Sequence, residues 1–148
     1  MEFALNHPDK TGLITPTLKL IKMIKSITLI GLGGAIGSIL RYLVTIATEA
    51  RFIPSTFPYG TLLVNITGCF AIGLIYALTG KLNISPEWRG FLATGICGGY
   101  TTFSAFSYQS ILLIREGHTV QFFTYVFSSV IIGMVATLIP IILVEKLG

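Results

Sequence analysis

The chain has 148 residues, 53% of them hydrophobic and 11% charged, with a formal net charge of +4. Soluble domains carry about 25% charged residues, so this chain lacks the polar surface of a water-facing fold. Its cations stand at the ends of apolar runs rather than on one polar face, which excludes nucleic acid as a partner and points to a lipid bilayer.

Residues 1–25 form a distinct extension that starts polar and ends as "LKLIKMIK". Lys19, Lys22 and Lys25 recur every three residues among Leu and Ile, which predicts a short basic amphipathic helix on an anionic membrane surface. A second reading takes Met23 as the start and the residues before it as a tail of little consequence. A signal peptide is not expected, because the following apolar run is too long and contains Arg41.

Residues 26–148 are expected to form one membrane domain of four spans, at about 27–48, 59–79, 90–114 and 119–144. The first holds Arg41 and the Gly33-x-x-x-Gly37 spacing that lets helices pack closely. Arg41 has two compatible readings: it bonds backbone carbonyls at a helix end, or it sets a positive field near an aqueous vestibule. In the second span, "TLLVNIT" is β-branched and open to a strand reading, but its length and the membrane context favour a helix. The third contains "GGYTTFSAF", whose glycines and hydroxyl residues predict a break in the helix at membrane depth. Non-helical backbone there is tolerated only inside protein or along a cavity. The fourth carries Pro140 late in its course, where it is expected to bend or loosen the last turn.

With four spans, Lys19, Lys22, Lys25, Lys81, Arg89 and Lys146 share one side, against Arg51 and Arg115 on the other. That bias places both termini in the cytoplasm. No aspartate or glutamate lies inside any expected span. The spans instead offer uncharged donors: Asn65, Thr67, Thr101, Thr102, Ser104, Ser107, Tyr108, Gln109, Tyr125, Ser128 and Ser129. Such a lining suits an anion, which needs N–H and O–H donors, and offers no clustered groups for an enzyme. Cys69 and Cys97 lie inside apolar runs and are expected to pack as small hydrophobes.

Three stretches, "GGAIGSILRY" (33–42), "FPYGTLLVNITGCFAIG" (57–73) and "GGYTTFSAFSYQ" (98–109), resemble in this order the signatures of the Fluc, or CrcB-type, fluoride channels. The resemblance covers about 26–144. It implies an all-α integral protein of the cell membrane, crossing it four times, with the third helix broken mid-membrane. It further implies an antiparallel, dual-topology dimer with two pores for passive fluoride efflux that protects the cell. By similarity, Asn65, Phe103, Phe106 and Ser104 face the pore. Tyr125 and Ser129 continue a polar track, and Thr61 and Arg41 stand at a vestibule. Backbone carbonyls of Gly98 and Thr101 from each chain would hold a structural sodium ion at the dimer centre.

Two residues depart from the family pattern. Ala105 stands where threonine is usual, removing one hydroxyl, and Cys69 replaces a common serine. The lysine-rich N-terminus also biases insertion, whereas an antiparallel homodimer needs both orientations. The partner is therefore either a second copy or a paralogous chain, and the alternative function is that of a nonconducting or partner subunit in a heterodimer.

Overall fold

The computed structural model describes residues 14–53 and 55–146, and every regular element among them is helical. The first half of the 1–25 extension, including the stretch before Ile14, lies outside the described residues. Helix α1 spans Ile14–Arg51, α2 Tyr59–Lys81, α3 Pro86–Arg89, α4 Gly98–Tyr100, α5 Phe103–Arg115 and α6 Thr119–Lys146. A π-helical segment, Gly90–Cys97, joins α3 to α4. Three helical stretches are long and apolar enough to cross a membrane: Pro16–Arg51, Tyr59–Lys81 and Thr119–Lys146.

The basic stretch ending at Lys25 continues into the apolar run without a backbone break, so α1 is one helix of 38 residues. Lysine, leucine and isoleucine all propagate a helix, and no glycine or proline separates Lys25 from Ile27. The β-branched "TLLVNIT" is helical throughout. Pro140 lies inside α6 and is buried, and the helix carries on past it to Lys146.

The connections have local causes. Ser85 caps α3 by accepting from the Trp88 N–H, and Pro86 takes the first helical position, where a missing N–H costs nothing. Gly117, at φ +80°, ends α5: its N–H reaches the Ile114 carbonyl at 3.0 Å, and the His118 N–H reaches Leu113 at 2.8 Å.

Small residues set the helix packing. A Cβ at Gly33 would stand 2.6 Å from the Phe91 carbonyl oxygen, and one at Gly99 would stand 2.9 Å from the Gly34 Cα. Glycines on α1 thus meet the π segment and α4 backbone to backbone, as the Gly33-x-x-x-Gly37 spacing suggests. On the other side α2 packs on α6. There Gly73 leaves room for Thr137 and Pro140, and the Thr137 hydroxyl donates to the Cys69 carbonyl at 3.1 Å. Among the described residues the buried apolar side chains are few: Val64, Ala93, Cys97, Leu113, Tyr125, Ala136 and Pro140. Leucines, isoleucines and valines on α1 and α6 remain largely exposed, a distribution that suits lipid or a partner helix and not water.

Candidate functional site

The polar residues of the spans converge where the helix stops. Helical geometry ends at Tyr100. Thr101 (ψ 158°) and Thr102 (φ −152°, ψ 115°) are extended, and α5 begins at Phe103. Such an interruption strips backbone groups of their helical partners, and side chains from three directions replace them.

Asn65 of α2 supplies two bonds. Its Oδ1 accepts from the Thr102 N–H at 2.9 Å, and its Nδ2 donates to the Thr102 carbonyl at 3.2 Å. From α1, Ser38 Oγ donates to the Gly99 carbonyl and Arg41 Nη1 to the Thr101 carbonyl, each at 3.4 Å. The Thr101 hydroxyl and N–H both return to the Cys97 carbonyl at 2.9 Å. Thr102 caps α5, with Oγ1 accepting from the Ala105 N–H at 3.2 Å. The same hydroxyl lies 3.2 Å from Ser104 Oγ. Among the described residues no side chain donates to the Gly98 carbonyl.

Two spaces flank the interruption. A cleft of about 330 Å³ is lined by Asn65, Gly98, Thr101, Phe103 and Phe106, with Cys69 and Cys97 deeper in its wall. A second space, of about 600 Å³, is lined by Arg41, Thr61, Ser104 and Ala105, together with Ser38 and Gln109. Thr102 borders both. Arg41 thus bonds a carbonyl where helical geometry stops and also lines the second space.

The aromatic residues form a chain across the site. Phe103 is 80% exposed. Its ring centroid lies 5.7 Å from that of Phe106, which lies 5.2 Å from that of Tyr125. Tyr125 is fully buried, and its hydroxyl donates to Gln109 Oε1 at 3.1 Å. Ser129, one turn further along α6, has a buried hydroxyl without a hydrogen-bond partner among the described residues. Asn65, Gly98, Thr101, Phe103 and Phe106 are thus brought together, as are Arg41, Thr61 and Ser104; Tyr125 joins through ring contact, and Ser129 stands apart on α6.

Sequence reasoning did not name Ser38, and it counted Thr102 and Gln109 only among the uncharged donors of the third span, with no role at the interruption. Thr102 carried a usable signal, a threonine immediately before a helical stretch, which is the pattern of an N-cap. Ser38 and Gln109 carried none, since their partners are 61 and 16 residues away.

Carbonyl oxygens suit a hard cation, which takes about six oxygens. Gly98 and Thr101 put at most two into the cleft, so a single chain supplies only part of such a site.

Long apolar helices and a protein-lined interruption, with no carboxylate lining the two spaces beside it, define a multi-pass integral membrane protein. The family model described as "CrcB-like protein, Camphor Resistance (CrcB)" matches residues 28–141, and the chain belongs to that family. It is 46% identical over 117 residues to a protein of Phocaeicola vulgatus, covering 79% of this chain and 96% of the relative. It is 45% identical over 119 residues to one of Aquifex aeolicus, covering 80% and 95%. A Flavobacterium psychrophilum protein is 44% identical over 124 residues, covering 83% and 99%. All three relatives are named "Fluoride-specific ion channel FluC", the name of a channel and not of an enzyme. Membership and the span-length helices make this chain a multi-pass protein of the cell membrane.

Proposed function

We propose that the chain is a fluoride-specific channel that lets fluoride leave the cell passively, working as an antiparallel dimer with two pores. The observation that carries this is the match, over nearly the whole length of each relative, to proteins named for fluoride conduction. The geometry supports it. The interruption is bordered by donors and by the Phe103 and Phe106 rings, and no carboxylate lines either space beside it.

In this reading the helical run 86–100 and α5 together make the third of four crossings. Fluoride is small and holds its water tightly, so donors must replace that water closely. Asn65 holds Thr102 with one amide hydrogen and has a second to offer. Ser104 offers a hydroxyl, and Ser129 a buried hydroxyl with no other partner. Phe103 and Phe106 offer the positive edges of their rings. Tyr125, fixed by Gln109, holds Phe106 in place by contact. Arg41 and Thr61 attract the anion into the wider space.

A second chain, either an inverted copy or a paralogue, would cover the exposed Phe103 and the open cleft. Gly98 and Thr101 of both chains would then hold a sodium ion, which, when bound, supplies a fixed positive charge among these carbonyls. A carbonyl has two lone pairs, so the Thr101 oxygen can serve Arg41 and a cation together.

The test is fluoride efflux from liposomes holding the purified chain. Flux that is lost in Phe106→Ile and Asn65→Asp is expected; folded protein without flux would sink the reading for this chain alone. One observation favours a second reading, a partner subunit in a heterodimer: the lysines of α1 favour one orientation. Conduction that appears only on co-expression with a second family chain would select it.

A further inference from the structure

The connection between α2 and α3 forms a separate cleft of about 520 Å³, lined by Tyr76, Asn83, Ser85 and Arg89 among others. It shares no residue with the two spaces at the helix interruption. Two of its hydroxyls are already committed: Thr79 donates to the Ile75 carbonyl, and Ser85 accepts from the Trp88 N–H. Three donor groups are not. The Arg89 guanidinium, the Asn83 amide and the Tyr76 hydroxyl have no side-chain hydrogen-bond or ion-pair partner among the described residues. No carboxylate lines the cleft. The neighbouring Glu87 does not line the cleft, but its carboxyl bonds the Ser85 hydroxyl at the cleft's edge. Lys81, at the end of α2, donates to the Val144 carbonyl. The cleft is thus rich in free donors and has one uncommitted cation.

Its position selects the anion. Tyr76 and Trp88 flank it, 54% and 55% exposed, as aromatic residues do at the level of lipid headgroups. Leu82, 64% exposed, and Ile84 lie beside the donors and offer apolar surface to the upper acyl chains. A free ion would use the donors but not this apolar border.

We propose that the cleft between α2 and α3 binds the phosphate of an anionic phospholipid headgroup, anchored by Arg89 and seconded by Asn83 and Tyr76. The guanidinium grips two phosphate oxygens as a fork, while the lipid tails run down the exposed faces of the neighbouring helices. This rests on the membrane placement of the chain and not on fluoride conduction.

Native mass spectrometry of the full chain, released from detergent with equimolar phosphatidylglycerol and phosphatidylcholine, tests it. Wild type is expected to retain phosphatidylglycerol about tenfold over phosphatidylcholine, because the choline cation beside the same phosphate opposes the charge of Arg89. Arg89→Gln should bring the ratio close to one. Arg89→Lys should fall between, since it keeps the charge and loses the fork. Arg115→Gln, at the far end of α5, should leave the ratio unchanged. If Arg89→Gln fails to fold, Asn83→Ala and Tyr76→Phe, on the same cleft, should each lower the preference about two- to threefold. Equal retention of the two lipids by wild type would overturn the proposal, as would an Arg115→Gln effect matching that of Arg89→Gln. Displacement of phosphatidylglycerol by millimolar inorganic phosphate would show a free-anion site and overturn the lipid assignment.

Discussion

Asn65 and Thr102 are bound to each other twice: the side-chain amide of one accepts from the backbone N–H of the other at 2.9 Å and donates to its carbonyl at 3.2 Å. One side chain thereby satisfies both polar groups of a residue that belongs to neither flanking helix. Replacing it exposes those groups to a medium without water. Asn65→Asp sets a carboxylate oxygen against the Thr102 carbonyl, and a loss of about 1–3 kcal/mol is expected. Thermal unfolding in detergent should show a lower midpoint, and fluoride efflux should fall with it. An unchanged midpoint would mean that the pair does not hold the interruption together.

Gly37 and Gly31 lie on the same helix and make a matched comparison. A Cβ at Gly37 would run into the Ile96 carbonyl and lie 2.8 Å from the Tyr100 nitrogen, whereas one at Gly31 meets nothing within 4 Å. Gly37→Ala should cost about 1–3 kcal/mol through forced backbone displacement. Gly31→Ala should be neutral or slightly stabilising, because alanine is the better helix former. Unfolding midpoints of the two variants decide this, and equal midpoints would contradict close packing at Gly37.

The legibility of this fold follows the range of the interactions. The Gly33-x-x-x-Gly37 contact was readable because one helix face carries the whole signal. The connections were readable as the gaps between the four apolar runs, and Pro58 and Pro86 stand in them. The joining of the 1–25 stretch to the first apolar run was not, because lysine at every third position marks amphipathicity and does not end a helix. The third expected segment was 90–114 with a break inside it; the helical run there starts at Pro86 and winds Gly90–Cys97 as a π-helix. That winding accompanies backbone contact with Gly33 and Gly37, which no local pattern announces. The Asn65–Thr102 pair joins residues 37 apart, so the sequence showed a polar side chain in each span but not that the two meet.

Arg41 combines a bond with a charge, and two substitutions separate them. Arg41→Met removes both the bond to the Thr101 carbonyl and the positive field. Arg41→Lys keeps the field alone. If the field draws fluoride inward, Arg41→Met should lower flux several-fold at low ionic strength and less at high salt, where screening has already weakened the field. Arg41→Lys should retain most of the flux. Equal losses in both variants, independent of salt, would assign Arg41 to holding the carbonyl only.

Ala105 presents its N–H to the Thr102 cap and its side chain to the 600 Å³ space. The cap is a backbone contact, so Ala105→Thr should leave it intact and shift stability by no more than about 0.5 kcal/mol. The added hydroxyl lines the wider space, where fluoride flux should rise. A large drop in the unfolding midpoint would show that the space cannot take a larger side chain.

Helix α1 is about 57 Å long, from 38 residues at ~1.5 Å each, while the hydrocarbon layer it serves is about 30 Å thick. Its apolar run, 27–48, is about 33 Å long and fits that layer, so a thinner bilayer is met by leaning. Ser38 and Arg41, which hold the Gly99 and Thr101 carbonyls, ride on that rod. A lean of that rod would therefore be felt at the Gly99 and Thr101 carbonyls, through the two side chains that hold them.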